Sequence, residues 1–355
     1  MKYDNILIAL DMLGCPNRCR HCFVGWRPNS KLSKNDLVST AEAFRPFAET
    51  LTVYDWNREP DFGDDYKEKW ELCNKLSSKP PEHYELASVW RLARDEGYAP
   101  WLKSLDVKYV QLTLFGGEEL TDYFTGRKGA YQDILKAIDV LLENGIAPRI
   151  QAFINKTTAP ELVKVAELID RLELEKRCEA IGIPFVCFVH QGSCDGEAEK
   201  LYPVWITSDD VEKIPEKLAQ YTVRHFKKQS IQEVLGREER EIYSELINDH
   251  TTESLGTTAP AVFYIDGEFN VTPNIGVPAR QWFLGNLRED GAGEILSRLA
   301  GDQSRAQHIR ATVPLSELVK VCGAPDSKRL FDREDYIEYL LNRYCQRQEI
   351  QGELL

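Results

Sequence analysis

Short apolar runs alternate with amphipathic stretches along most of the first 190 residues. "NILIALDM" (5–12) has the length and character of a buried strand. "SKNDLVSTAEAFRPFAE" (33–49) begins with Ser33 as a helix cap and continues with a helical pattern, and "TLTVYD" (50–55) is a second strand. A regular series follows: strand 109–115, helix 131–145, strand 148–154, helix 158–173 and strand 181–189. The 131–145 helix puts Ile134, Leu135, Ile138, Leu141 and Leu142 on one face and stops at Gly145. Pro160 sits just inside the start of the 158–173 helix. This rhythm with short connections predicts an α/β fold, a parallel sheet with helical crossovers curved into a barrel or part of one.

After residue 190 the rhythm fades. Residues 209–226 and 231–249 read as helices, 262–273 as a hairpin turning at Asp266-Gly267, and 333–345 as a final amphipathic helix. A boundary near 255 then separates a core of 1–255 from a smaller α+β unit of 256–355. Inside the core, 57–84 is an insertion rich in charge, proline and aromatics; Trp56, Tyr66, Trp70 and Tyr84 either wall a pocket or pack an enlarged helix.

Of the 355 residues, 43% are apolar and 28% charged, which is ordinary globular composition. The net charge of −13 argues against nucleic acid as the main partner, because phosphate binding wants a basic face. No apolar run is long enough for a membrane span or a secretory signal, so a cytoplasmic enzyme is expected. Nine cysteines are an odd number without a signal peptide, which is not a disulfide framework.

Three of those cysteines fall in "CPNRCRHCF" (15–23), spaced C-x3-C-x2-C. Three thiolates from one loop can cap one face of an iron–sulfur cube and leave a fourth iron without a protein ligand. A tetrahedral zinc ion would want a fourth ligand, for which His21 is the candidate inside the loop. The loop follows the first strand of a βα series, at the end where such folds bind ligands.

This loop resembles the signature of the radical SAM superfamily, and the resemblance extends over roughly residues 5 to 190. It implies a partial (β/α)6 TIM-like barrel and a [4Fe–4S] cluster held by Cys15, Cys19 and Cys22. The open iron of that cluster would chelate S-adenosylmethionine (SAM), whose reductive cleavage yields a 5′-deoxyadenosyl radical. His21 is then expected near the adenine, with Phe23 beside it. The family carries a Gly-Gly-Glu-Pro-like turn after its second strand. A literal "GGE" at Gly116-Gly117-Glu118 comes too late in the strand order. Asn57-Arg58-Glu59-Pro60 stands in the right place, with Glu59 and Pro60 kept and both glycines replaced. Glu59 carries the needed carboxylate, which accepts a charge-assisted hydrogen bond from an ammonium group. The segment from 110 to 150 resembles the fourth-strand region of the branch bearing SPASM domains. There Thr113 takes a serine's place near the SAM ribose, Gly116 is the turn glycine and Asp122 the aspartate. Thr125 stands where an arginine belongs, and Arg127 compensates. Asn155, ending the next strand, is a further polar candidate.

"FYIDGEFNVTPN" (263–274) followed by "LGNLREDGAGEIL" (284–296) resembles the start of a SPASM or twitch domain, but "VTPN" stands where a cysteine ligand belongs. One cluster is therefore expected, with a C-terminal cap that kept the shape and lost the metal. The chain opens almost on its first strand, so no leader-peptide-binding winged helix is expected. Epimerisation, rearrangement and bond formation all remain open. An epimerase needs a hydrogen donor, for which Cys187 and Cys194 are the candidates. The substrate is expected to be a natural-product intermediate or a short peptide, and the electron donor a flavodoxin or ferredoxin, with no membrane partner. The rival reading is a non-catalytic iron–sulfur or zinc-binding protein that kept only the loop.

Overall fold

A computed structural model of the chain describes residues 2–56, 58–254, 261–273 and 279–350, with 349 and 350 described by backbone alone. Asn57, Asn274 and the boundary near 255 lie outside the described residues. The chain opens with β1 (Tyr3–Asp11), α1 (Lys34–Phe44) and β2 (Ala48–Trp56). α1 begins where the Ser33 hydroxyl accepts the Asp36 amide and the Asp36 carboxylate accepts the Ser33 amide, a reciprocal cap. The insertion contributes α2 (Tyr66–Leu76), followed by α3 (Val89–Leu92) and α4 (Tyr98–Ser104). The regular series is β3 (Tyr109–Leu114), α5 (Glu118–Thr125), α6 (Ala130–Glu143), β4 (Ala147–Phe153), α7 (Leu162–Arg171), α8 (Leu174–Ala180) and β5 (Val186–His190).

The remainder comprises α9 (Glu216–Phe226), α10 (Ile231–Leu235), β6 (Arg237–Glu238), α11 (Glu239–Leu246), β7 (Ala261–Ile265) and β8 (Asn270–Pro273). It ends with β9 (Gly285–Asn286), α12 (Leu287–Ala300), α13 (Arg305–Thr312), α14 (Leu315–Cys322), β10 (Leu330–Phe331) and α15 (Arg333–Ile350). The helix expected over 231–249 is two helices. Gly236 has φ +100° and lies against the Phe331 backbone, a conformation and an approach that a side chain would block.

The architecture is α/β with mostly parallel strands. One sheet has the order β2-β1-β7-β8-β9 and a second the order β3-β4-β5; β2, β1 and β7 run parallel, as do β3, β4 and β5. Between the sheets the Glu85 carbonyl accepts the Gln111 amide at 2.8 Å, while the neighbouring Tyr84 ring stacks on Tyr54 of β2. The hairpin β7–β8 pairs with β1 through β7, so sheet hydrogen bonds join the C-terminal portion directly to the first strand.

Strand alternation sorts the two faces of each sheet. Ile6, Ile8 and Leu10 pack with Leu51, Val53, Phe263 and Ile265 on one face of the first sheet. Val110, Leu112 and Leu114 pack with Ile150, Ala152 and Val189 beneath the helices of the second. The opposite faces are polar, carrying Asp11 and Tyr264 on the first sheet and Gln111, Thr113, Gln151 and His190 on the second. Among the described residues, no helix is long and apolar enough to cross a membrane.

Candidate functional site

The cysteine loop leaves the C-terminal end of β1 and is tied down on three sides. Its Arg18 and Arg20 amides donate to the Thr125 and Phe124 carbonyls at the end of α5 (3.1 and 2.8 Å). Arg127 Nε donates to Asn17 Oδ1 at 2.7 Å, and the Glu197 amide donates to the Cys22 carbonyl at 2.9 Å. Gly196 is obligatory at this crossing: its φ is +55°, and a Cβ there would strike the Cys22 and Phe23 carbonyls.

All three thiols of the loop are free and half-buried. Burial and the Glu59 carboxylate push the Cys15 thiol up to about 12; burial and the two neighbouring cysteines push Cys19 well above the ordinary thiol range. Thiolates this close in a buried place need positive charge between them, which iron supplies. Among the described residues no three His, Cys, Asp or Glu side chains converge on one point to hold a single ion. A cube makes a different demand, because each cysteine binds a separate iron.

Glu59 faces this loop from the end of β2. Its Oε2 lies 4.0 Å from Cys15 Sγ and accepts Asn17 Nδ2 at 3.3 Å. Its Oε1 accepts the Ser88 hydroxyl at 2.9 Å and the Trp90 amide at 3.2 Å, at the start of α3. Burial raises its pKa, opposed by the Trp90 amide, the Ser88 hydroxyl and the Arg127 charge. His21 points inward between Phe115 and Phe153, with ring centroids 4.8 and 4.9 Å away. Its buried Nδ1 has no hydrogen-bond partner, and burial pulls its pKa down to about 4, so the ring is neutral and flat with that nitrogen open. Three adjacent thiols, a buried carboxylate and a flat ring with an open nitrogen fit an iron–sulfur cluster with an adenosyl ligand.

Arg58 explains what replaced the glycine before Glu59. Its side chain is only 4% exposed and lies 3.4 Å from Asp11 Oδ2. Its guanidinium donates to the Arg27 and Pro28 carbonyls at 2.9 and 3.0 Å and to Asn29 Oδ1 at 3.2 Å. The Asn29 side chain in turn brackets Cys15, accepting its amide and donating to its carbonyl. Arg58 is thus a strut between β1 and the returning limb of the loop. Tyr264 of β7 donates to the same Asp11 oxygen at 2.7 Å.

A model of the Radical SAM superfamily matches residues 11–178. The chain carries a radical SAM domain. The proteins it resembles include Fe-coproporphyrin III synthase of Methanosarcina barkeri (strain Fusaro / DSM 804), 33% identical over 96 residues. That match covers 27% of this chain and 22% of the relative, so it spans about a fifth of the relative's length. In fold, the chain is similar to native anSMEcpe with bound AdoMet and Kp18Cys peptide (14% identity, TM-score 0.54, covering 99% of this chain and 100% of that one). It is likewise similar to native anSMEcpe with bound AdoMet (15% identity, TM-score 0.53, covering 98% and 99%). The matched segment, 11–178, is of a class that works with SAM and an iron–sulfur cluster.

Other candidates separate into those near the radical SAM cysteine loop and those away from it. Thr113 lies on the polar face of β3, its hydroxyl 3.2 Å from Gln151 Oε1. Pro60 lines a small cleft with Tyr54, Trp70, His83 and Tyr84, so the insertion both packs on β2 and walls a cleft. Phe23 is 39% exposed. Asn155 is a turn cap, its Oδ1 accepting the Thr157 and Thr158 amides at 2.8 and 3.0 Å. Its buried Nδ2 has no hydrogen-bond partner.

Both hydrogen-donor candidates are buried. Cys187 is buried on the helix side of β5, among Ile150, Val189 and Leu218, because alternation turns its neighbours Phe188 and His190 the other way. Cys194 is buried in an apolar cluster with Trp205, Leu340 and Phe153. The cluster around Cys194 also contains Phe115, so it includes both rings that flank His21. The literal "GGE" merely opens α5, where Glu118 complements the helix N-terminus.

Sequence reasoning passed over His190 and Gln151. Gln151 Nε2 lies 3.3 Å from His190 Nδ1, which also accepts the Gly192 amide at 2.9 Å. Because Nδ1 accepts, the proton sits on Nε2, and burial keeps the ring neutral. Both are polar residues near strand C-termini on the face opposite Ile150 and Val189, a signal that period-two counting along 147–190 contains.

Proposed function

We propose that this chain abstracts a hydrogen atom from a peptide substrate at the centre of a partial (β/α)6 barrel, using one [4Fe–4S] cluster on Cys15, Cys19 and Cys22. When bound, the cluster and SAM supply reductive cleavage of the sulfonium, giving methionine and a 5′-deoxyadenosyl radical. The observation that carries the reading is Glu59 against Cys15: a carboxylate held by Ser88 and Trp90 beside the loop that would carry the cluster. There it accepts the hydrogen bonds of an ammonium group in a place too dry for a merely solvated acid. His21, between Phe115 and Phe153, offers a flat face and an open nitrogen to an adenine. Thr113 offers a hydroxyl to the ribose, and Arg127 orients the loop through Asn17.

Support for a peptide comes from the polar wall of Gln111, Gln151 and His190, whose amide and imidazole groups match backbone amides. It also comes from the fold-level neighbour whose bound partner is the Kp18Cys peptide. In this proposal the core is 1–255, and 256–355 is a SPASM- or twitch-like portion without a second cluster. Arg58, standing where the family's turn has a glycine, takes over local support of the loop.

The test is incubation of reconstituted protein with SAM, a reductant and peptide libraries deuterated at the α-carbons. Deuterium appearing in 5′-deoxyadenosine, with a mass change in one peptide, is the expected result. Deuterium-free deoxyadenosine with every peptide, but label transfer from a small natural-product intermediate, would replace the peptide reading.

A further inference from the structure

Four large apolar side chains are exposed among the described residues: Phe23 (39%), Trp26 (46%), Tyr123 (53%) and Val163 (47%). The first two are in the cysteine loop, and the third is tied to it. Arg20 Cζ sits 4.1 Å over the Tyr123 ring, and Lys200 Nζ sits 5.5 Å from the centre of Trp26. Arg18, in the same loop, is exposed as well. Glu197 beside this group is engaged by Lys200 and by the Trp26 amide. In a chain of net charge −13, the outer side of the loop is a basic and aromatic island.

The island is wired to the loop. Trp26 Nε1 donates to the Cys19 carbonyl at 2.9 Å, so an indole open to solvent is one hydrogen bond from a ligand residue. The substrate side is elsewhere, since His21 turns inward to Phe115 and Phe153 while Phe23 and Trp26 are exposed.

We propose that Arg20, Tyr123, Trp26 and Lys200 form the docking surface for a small acidic electron-transfer protein, which passes one electron to the cluster by way of Trp26 and Cys19. This rests on the radical SAM reading above. In the transfer the carrier is oxidised by one electron and the cluster reduced by one; with a flavodoxin the hydroquinone becomes the semiquinone. Opposite charge steers the encounter, and exposed aromatics supply the contact of a short-lived complex. Such interfaces are small, which suits a patch of a few side chains. An acidic substrate peptide would meet the same charges, but it would gain nothing from an indole bonded to the Cys19 carbonyl.

The experiment is anaerobic stopped-flow reduction of the reconstituted holoenzyme, followed by bleaching of cluster absorbance. An acidic flavodoxin in its hydroquinone form is compared with dithionite. With flavodoxin the wild-type rate should fall as salt rises. Combined Arg20→Gln and Lys200→Gln substitutions should slow flavodoxin at low salt by about tenfold and flatten the salt dependence. The dithionite rate and the iron content should stay within about twofold, as for a change in steering alone. Tyr123→Ala, on a different element, should also slow flavodoxin selectively.

Flavodoxin rates equal to wild type in both variants would overturn the docking surface while leaving the radical chemistry standing. So would variants whose only defect is weaker peptide binding with dithionite as reductant, which would make the patch a substrate surface. A wild-type protein that binds no iron would overturn the reading beneath it as well.

Discussion

Glu59 Oε2 lies 4.0 Å from Cys15 Sγ, while Oε1 is fastened by the Ser88 hydroxyl and the Trp90 amide. One carboxylate thus joins the loop after β1 to the segment after β2. If it receives the SAM ammonium, Glu59→Gln should weaken SAM binding by roughly 10- to 100-fold, the worth of one charged hydrogen bond. Iron content should stay unchanged, because the thiols are untouched. Equilibrium dialysis with labelled SAM, beside an iron assay, checks both numbers.

The Arg58 strut predicts a different phenotype. Arg58 and Asp11 are both buried, so Arg58→Ala strands a carboxylate and frees the Arg27–Asn29 limb. A loss of about 3–5 kcal/mol in folding stability is expected, with reduced cluster loading. Arg58→Lys should not restore it, because a single ammonium cannot span two carbonyls and an amide oxygen from a guanidinium's position. Denaturant unfolding and iron counting measure the two effects. Wild-type stability in the alanine variant would remove the strut from the account.

Asp55, at the end of β2, gives a pH signature. Burial and the nearby Asp61 charge raise its pKa to about 7. The folded state therefore holds a proton that the unfolded chain, titrating near 4, has released. Stability contributed by this group is greatest below pH 4 and is lost as pH rises towards 7. Asp55→Asn should accordingly raise the thermal midpoint more at pH 8 than at pH 5, and flatten the slope between them. Parallel melting series at the two pH values test this.

His190 offers a substrate-side prediction. Its Nε2–H is the free donor of a neutral ring whose Nδ1 is already occupied by the Gly192 amide. His190→Ala should raise the apparent KM for peptide by roughly 5- to 10-fold, the loss of one neutral hydrogen bond. Deoxyadenosine formed without substrate should not change. A defect in that background reaction would instead place His190 against SAM.

The strand–helix series from β3 to β5 was legible because one face of each element is apolar at its own period, as Val110, Leu112 and Leu114 show. The cysteine loop and Glu59 were legible because their chemistry is carried by residue type and by position after a strand. Arg58 was not, since its partners are carbonyls of residues 27 and 28, and carbonyls carry no sequence signature. The face of Cys187 was not legible from nearness to a strand end; its register partner is Ile150, and it shares the apolar face under the helices. The pairing of β7 with β1 joins residues about 255 apart in the chain, a distance over which a hydrophobic pattern identifies strands but not neighbours.

The central claim is that the loop at Cys15, Cys19 and Cys22 carries one cluster that cleaves SAM. The most direct measurement is anaerobic reconstitution, an iron and sulfide count, and an assay for 5′-deoxyadenosine after adding SAM and dithionite. About four irons per chain, lost when the three cysteines are replaced by alanine, together with deoxyadenosine, is the predicted result. Bound zinc without iron, or a full cluster that forms no deoxyadenosine with or without substrate, would contradict it.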